Sequence, residues 1–219
     1  MNRTNLFVAA VGLLLAGFIG ATLYHSTRKQ AESEQHVETQ QAVLFRDHAP
    51  SHGPQDAPVR IVEFFDPACE TCRDFYFRVK AELLAKHPDR LRLDLRYAPF
   101  HAGSDQVVAL LEASRRQDKF WPVLEALLAS QDRWVERHTA QVDKVWPLLD
   151  GLGLDLARLR TDMAAPEVAR VIEQDRADAA ALNVTMTPEY FVNGRPLPSF
   201  GYQQLTRLVD DALREAGSR

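Results

Sequence analysis

Cysteine is scarce in this sequence, because the 219 residues include only two, Cys69 and Cys72. Two cysteines do not make a disulfide-stapled scaffold, so the fold has to rely on a hydrophobic core. Hydrophobic residues make up 46% of the chain, which is typical of a globular protein. The length suits one domain of ordinary size.

An excess of positive charge is also missing. Lysine and arginine total 26 against 30 for aspartate and glutamate, and the net charge is -4. This balance gives no electrostatic reason to expect nucleic-acid binding. The sequence shows no internal repeat and no low-complexity tract.

Charged residues are absent from one long stretch near the N terminus, LFVAAVGLLLAGFIGATLY from Leu6 to Tyr24. This is about the roughly 20 residues that a helix needs to cross a bilayer. No convincing cleavage site follows the run, and the lack of a nearby cysteine excludes a lipoprotein signal. We therefore expect a retained transmembrane signal anchor over residues 1–24 and a polar tether over 25–41. A cleaved signal peptide is the alternative.

The chain behind the tether begins with alternating strand and helix patterns. VLFRDH, residues 43–48, predicts a short strand, and VRIVEFF, residues 59–65, predicts a buried one. Apolar residues at helical spacing predict a helix from about 69 to 86. LRLDLRY, residues 91–97, alternates like a second central strand.

The second half of the chain is helical at first and ends in a ββα pattern. Spacings of three and four between apolar residues predict helices over about 104–182. Asn193-Gly194 between two apolar runs predicts a hairpin, and an amphipathic helix is expected over 203–216. The whole order predicts one α/β domain over about 42–217, with a sheet covered by helices.

The two cysteines lie three residues apart, where the predicted strand 59–65 ends and the next helix begins. The first turn of a helix has unpaired N–H groups and the positive end of the dipole, so a thiolate there is stabilised. We therefore expect a lowered pKa for Cys69. Cys72 lies one turn deeper, on the same face and within disulfide reach. This placement predicts that Cys69 exchanges disulfides with a substrate and that Cys72 resolves the mixed disulfide.

Metal binding is the alternative chemistry for a lone CxxC motif. A closed zinc site needs four ligands, and the chain provides two cysteines. His48 and His52 are further candidate ligands, although both lie in a predicted turn segment. Two thiolates can also hold a soft ion such as Cu(I), and a dimer can share two motifs. The residues alone leave this alternative open.

Four stretches resemble successive landmarks of the DsbA-like thiol–disulfide oxidoreductases. They are EFFDPACETC, LDLRYAPFHAGS, KFWPVLEALLASQ and TMTPEYFVNGRP, and they occur in the family's order across nearly all of residues 42–216. The resemblance implies a thioredoxin fold with a helical domain inserted in its middle. The predicted helical block at about 104–182 agrees with that insertion.

The resemblance implies roles for the residues of the CxxC motif. Cys69 matches the nucleophilic cysteine, and Cys72 matches the resolving one. Glu70 and Thr71 match the variable dipeptide that tunes the reduction potential. The strongest oxidants of the family have a histidine beside the nucleophile, whereas Glu70 brings a negative charge. We expect this charge to oppose the Cys69 thiolate, with the Thr71 hydroxyl offsetting part of the effect.

Three residues outside the motif are also implied. Thr187 and Pro188 match the loop whose proline is cis and faces the cysteine pair, where it leaves the neighbouring backbone free to bind an extended substrate. Glu63, six residues before Cys69, matches a buried acid that transfers protons near the resolving cysteine. A strand carboxylate that faces solvent is the alternative interpretation of Glu63.

The resemblance therefore implies a protein thiol–disulfide oxidoreductase that needs no bound cofactor and no metal. Its expected substrates are reduced or partly unfolded extracytoplasmic proteins, and its expected oxidant is a quinone-linked membrane partner of the DsbB type. We expect a monomer in the bacterial inner membrane, with the catalytic domain in the periplasm. The alternatives are a reductase or isomerase of the same fold, or a membrane-tethered copper-binding protein.

Overall fold

A computed structural model of the protein describes residues 41–218. Residues 43–218 form one compact unit. The expected anchor at 1–24 and nearly all of the expected tether at 25–41 lie outside the described residues. Within 41–218, no helix is both long enough and apolar enough to cross a bilayer.

Strands and helices are interspersed along this unit. The strands are β1 (Ser51–His52), β2 (Val59–Phe65), β3 (Leu91–Tyr97), β4 (Val135–Glu136), β5 (Thr139–Ala140), β6 (Glu189–Val192) and β7 (Arg195–Pro196). The α-helices are α1 (Glu70–Arg78), α2 (Ser104–Arg115), α3 (Phe120–Ala129), α4 (Leu156–Met163), α5 (Pro166–Ala181) and α6 (Tyr202–Gly217). A π-helix, Val79–Leu84, continues α1, so the helix predicted over 69–86 is confirmed with a change of pitch.

Five strands form one sheet in the order β1-β3-β2-β6-β7. The central pair β2–β3 is parallel, as a crossover through α1 requires, and the other three pairs are antiparallel. Helices α2 to α5 lie in the chain between β3 and β6, which confirms the predicted helical insertion in an α/β fold. The hairpin at Asn193-Gly194 is confirmed, and both turn residues have positive φ, 47° and 84°.

The central strand β2 is buried on both faces of the sheet. Ile61 and Phe65 point into a large core cluster that α1 and α6 share, whereas Val62 and Phe64 point into a smaller cluster on the opposite face. Because side chains alternate along a strand, Glu63 lies on the same face as Ile61 and Phe65. This placement brings its carboxyl group under the helix that carries the cysteines.

On the face of the sheet away from α1, β3 carries charged side chains that form ion pairs. Arg96 is fully buried, and its guanidinium donates to Asp175 and Asp178 of α5 at 2.8 and 2.5 Å. The same group donates to the carbonyl oxygens of Val43 and Leu44 at 2.9 and 2.8 Å. Arg96 therefore joins the insertion and the start of the unit to the sheet.

The strand predicted over 43–48 is wrong. Residues 41–44 are helical and 47–49 form a turn, while the edge strand is β1, which pairs antiparallel with β3. The carbonyl groups at 43 and 44 are satisfied by Arg96 and not by a strand ladder. The sequence also gave no sign of the two-residue strands β4 and β5, which form a separate hairpin within the insertion.

Candidate active site

The two cysteines lie at the N terminus of α1, as predicted. Cys69 is the N-cap residue, with φ of -85°, and Cys72 is in the first turn. Cys69 is 6% exposed and Cys72 is fully buried, and both are free thiols. The Cys69 thiol donates to the carbonyl oxygen of Thr187 at 3.3 Å, so the loop before β6 faces the outer cysteine.

The two thiols differ in acidity because their surroundings differ. A hydrogen bond from the Cys72 thiol is the largest influence on Cys69, and backbone N–H groups of Cys72 and Thr71 add to it against the cost of burial. Together they lower the pKa of Cys69 from 9.0 to about 6. Because the folded pKa is depressed, the reduced form gains stability as pH rises from about 6 to about 9 and loses it as pH falls.

The inner thiol and the acid beneath it shift in the other direction. Burial is the largest cause that raises the pKa of Cys72 well above its usual range, and the neighbouring charges of Glu63 and Cys69 also raise it. Glu63 is fully buried, and burial raises its pKa to about 8. The alternative of a solvent-facing carboxylate at Glu63 is therefore wrong. A carboxyl group with this pKa can give or take a proton near neutral pH.

Asp66 holds the turn between β2 and α1, and the sequence interpretation missed it. Its buried carboxylate accepts hydrogen bonds from the backbone N–H groups of Ala68, Phe100 and His101 at 2.8 to 2.9 Å. The ring Nδ1 of His101, at 2.7 Å, and the hydroxyl of Ser104 also donate to it. An acid placed directly between a buried strand and a CxxC motif was the available signal.

The backbone of Asp66 completes the link to the cysteines. Its N–H group donates to the Cys72 sulfur at 3.5 Å, and its carbonyl oxygen accepts from the Cys69 N–H group at 3.0 Å. One residue therefore connects the CxxC turn to the loop that leads into α2.

Gln131, in the 3-10 turn after α3, is a second residue that sequence reasoning missed. Its side chain is fully buried, and the amide nitrogen donates to the carbonyl oxygens of Pro67 and Cys69 at 2.8 and 3.1 Å. A glutamine in a helical block carries no local signal of this contact. The helical insertion therefore contacts the active-site turn in two places, through its hydrogen bonds to Asp66 and through Gln131.

The remaining predicted residues surround Cys69. The Thr187–Pro188 peptide bond is cis, as the resemblance implied. Thr71 is exposed, and Glu70 is half-buried with a carboxylate oxygen 3.5 Å from Nδ1 of His138 in the β4–β5 turn. The expected opposition between Glu70 and the Cys69 thiolate stays a prediction.

The candidate metal ligands lie in other contacts. His48 is within 2.6 Å of Asp175 through its Nε2 atom, and His52 packs edge-on against Trp121. Within residues 41–218, no three or more histidine, cysteine or acidic side chains are grouped in a way that could hold a metal ion.

Two thiols whose pKa values are shifted in opposite directions lie in one helical turn, and such a pair can accept and release a disulfide. The sheet beneath them has the thioredoxin topology. The protein is therefore of the thioredoxin-like class, with a CxxC dithiol at the start of α1. It belongs to the thioredoxin family, because the family model described as Thioredoxin matches residues 46–211.

Curated relatives fall into two groups. "Probable disulfide bond formation protein D" of Bacillus anthracis is 27% identical over 171 residues, which are 75% of this chain and 78% of the relative. "Na(+)/H(+) antiporter NhaA" of Herminiimonas arsenicoxydans is 30% identical over 163 residues, 74% of this chain and 25% of the relative. A Salinispora tropica antiporter, NhaA 3, is 37% identical over 68% of this chain and 22% of its own length. The chain thus spans about a quarter of these antiporters.

Solved structures share the fold. A thioredoxin-like oxidoreductase from Silicibacter pomeroyi is 30% identical, with a TM-score of 0.68 over 80% of this chain and 97% of that one. Oxidised BdbD from Bacillus subtilis is 22% identical, with a TM-score of 0.65 over 76% of this chain and 93% of that one. The second likeness is evidence for the fold alone.

The hydrogen bond from Cys72 gives a direct test of the site. Thiolate absorbance of the reduced protein should rise with pH around a midpoint of about 6, which is the pKa of Cys69. Cys72→Ala removes the largest stabilising contact, so the midpoint should move up toward the ordinary value of 9.0. Cys69→Ala is the control and should remove the transition near pH 6. A transition that survives in Cys69→Ala would show that Cys69 is not the acidic thiol.

Proposed function

We propose that the protein introduces disulfide bonds into reduced, partly unfolded proteins outside the cytoplasm. The observation that carries this direction is the pKa of about 6 for Cys69 beside a Cys72 thiol whose pKa is raised. A stable thiolate favours the dithiol form of the protein, and a stable dithiol makes the disulfide form more oxidising. Relatives named for disulfide bond formation support the same direction.

The first chemical step breaks the disulfide of the oxidised protein. A substrate thiolate attacks Cys69, a mixed disulfide forms, and Cys72 leaves with the electron pair of the broken bond. Glu63, with a pKa of about 8, is mostly protonated at pH 7 and can give its proton to the Cys72 thiolate. The buried Cys72 is thereby returned to the neutral form that its surroundings favour.

The second step completes the oxidation of the substrate. A second substrate thiolate attacks the substrate sulfur of the mixed disulfide, and Cys69 leaves as a thiolate. Its low pKa makes it a good leaving group. The substrate loses two electrons and the cysteine pair gains them, so no bound cofactor is required. Reoxidation then needs an external oxidant, for which we propose a quinone-linked membrane protein of the DsbB type.

Exposed apolar side chains around α1 and the cysteine-bearing turn support unfolded proteins as substrates. Phe100, Met186 and Phe200 are 49%, 54% and 49% exposed. Met186 directly precedes Thr187, which contacts Cys69, and the backbone N–H of Phe100 donates to Asp66. Apolar surface of this kind can bind the apolar segments that an unfolded chain exposes.

One observation favours the reductase or isomerase alternative. Glu70 places a carboxylate immediately after Cys69, and a like charge disfavours a thiolate. Half of this side chain is exposed and its carboxylate faces His138, so solvent and the imidazole ring weaken its effect on the sulfur. We therefore retain oxidation as the proposed direction.

Location is the second part of the proposal. The apolar run Leu6–Tyr24 supports a retained anchor, and polypeptide oxidation requires an oxidising compartment. Relatives named as antiporters carry a homologous region within a longer protein, which supports a site of action beside a membrane for this domain. We propose a single-pass, monomeric inner-membrane protein with its catalytic domain in the periplasm.

The roles of the two cysteines can be tested by trapping. Cys72→Ser should accumulate mixed disulfides between Cys69 and reduced substrate proteins, because no thiol remains to resolve them. Non-reducing electrophoresis and mass spectrometry identify the adducts. Cys69→Ser is the matched control and should form none. Adducts that form through Cys72 would invert the assignment.

The direction of electron flow can be tested in cells. Acid quenching followed by alkylation should find Cys69 and Cys72 mostly oxidised in the resting state, because an oxidase waits in its disulfide form. A double Cys69→Ser, Cys72→Ser variant marks the position of the unreactive protein on the gel. A pair found mostly reduced would establish the reductase direction instead.

The location can be tested with the full chain. Intact-mass measurement of membrane-extracted protein should find residues 1–24 present, because the apolar run is retained as an anchor. Added protease should degrade the domain once the outer membrane is permeabilised. A mass that lacks the apolar run would refute the anchor, and protection from protease would refute the periplasmic orientation.

A further inference from the structure

Tyr190 is a buried polar residue that the mechanism above does not use. It lies directly opposite Glu63 in the antiparallel pair of β2 and β6. Residues opposite each other in such a pair project to the same face, with Cβ atoms about 4.5–5.5 Å apart. Both side chains are fully buried. The register therefore places the Tyr190 and Glu63 side chains next to each other on the face of the sheet that lies under the cysteines.

The side-chain oxygens of this pair are buried without hydrogen bonds. Within residues 41–218, both carboxylate oxygens of Glu63 and the hydroxyl of Tyr190 lack a hydrogen-bond partner. Buried polar atoms without partners are uncommon and costly, so three in one place need an explanation. Phe75 of α1 stacks on the Tyr190 ring with centroids 5.9 Å apart, and both belong to the core cluster under the cysteines.

We infer that Tyr190 is a positioning residue for proton transfer at Cys72: its hydroxyl donates to the Glu63 carboxylate in the ionised state and so sets how readily this acid exchanges a proton. The inference rests on the proposed function for its role in disulfide exchange. It assigns Tyr190 no contact with substrate and no bond-making step.

The acidities of the two groups agree with this division of roles. Burial is the main cause that raises the pKa of Glu63, and the Tyr190 hydroxyl acts against it. Burial, with the nearby charges of Glu63 and Cys72, raises the pKa of Tyr190 well above its usual range. Tyr190 therefore keeps its proton throughout the reaction, and Glu63 is the group that changes protonation state.

Reoxidation of the protein shows what the contact would do. When Cys69 is joined to an oxidant's sulfur, the Cys72 thiol passes its proton to the Glu63 carboxylate. The Cys72 thiolate attacks Cys69, the intramolecular disulfide forms, and the oxidant's sulfur leaves as a thiolate. A donor on Glu63 raises the fraction of the protein whose carboxylate is ready to accept that proton. Substrate oxidation uses the same contact in reverse.

Tyr190→Phe removes the hydroxyl and keeps the ring that Phe75 packs against. The carboxyl signal of Glu63, followed by infrared or carbon-13 spectroscopy, should titrate near 8 in the original protein. Because a hydrogen bond to a charged group is lost, we expect the midpoint to rise by about one unit in Tyr190→Phe. The ionised fraction at pH 7 then falls about tenfold, so resolution of mixed disulfides by Cys72 should slow by up to about tenfold at that pH.

Tyr202→Phe is a matched control. The Tyr202 ring also packs against Phe75, with centroids 5.8 Å apart, but its hydroxyl donates to the carbonyl oxygen of Arg78 at 3.1 Å. This variant should leave the Glu63 midpoint unchanged. A merely structural role of the tyrosine rings would not separate the two variants.

Two results would overturn the inference. One is a Glu63 midpoint that does not move in Tyr190→Phe, which needs no substrate and so is independent of the proposed function. The other is a further loss when Tyr190→Phe is added to Glu63→Gln, since the tyrosine should act only through the acid. The original protein could also fail to oxidise any substrate while the Glu63 midpoint still shifts in Tyr190→Phe. That result would refute the proposed function and support the contact between Tyr190 and Glu63.

Discussion

The unequal burial of two thiols in one helical turn is the constraint on which this molecule depends. Cys69 caps α1 at the edge of the core and receives hydrogen bonds from Cys72 and the backbone, so its pKa falls to about 6. Cys72 faces the interior, and burial raises its pKa. A thiolate at one position therefore requires a neutral thiol at the other. The rest of the fold keeps the two environments apart.

The insertion contributes directly to that separation. Asp66 gathers the loop before α2 around the turn that precedes the cysteines, and Gln131 holds the same turn from the far end of α3. Because Asp66 also donates its N–H group to the Cys72 sulfur, movement of the helical block would alter the inner thiol. The helices between β3 and β6 thus belong to the active site as much as the thioredoxin sheet does.

The two faces of the sheet differ in how their buried polar groups are paired. On the face toward α1 and α6, Glu63 and Tyr190 lie side by side as buried polar residues. The opposite face of β3 carries Arg96, which is paired with Asp175 and Asp178 of α5. Breaking a buried pair of this kind leaves an uncompensated charge, so the network fixes where α5 lies. The charged groups on this second face are paired, whereas the side-chain oxygens of Glu63 and Tyr190 have no hydrogen-bond partner within residues 41–218.

Local pattern determined much of this protein. The sequence by itself predicted β2, β3, the Asn193-Gly194 hairpin, the helical block and the place of both cysteines, because alternation, helical spacing and turn residues are encoded in adjacent positions. Only the tertiary structure decided the rest. Gln131 reaches the cysteine-bearing turn from a distant part of the chain, and Tyr190 meets Glu63 across the sheet. Where a strand was predicted over 43–48, the carbonyl groups of Val43 and Leu44 instead bind Arg96. Such contacts depend on where remote side chains meet in a packed interior, and no short stretch of sequence records that meeting.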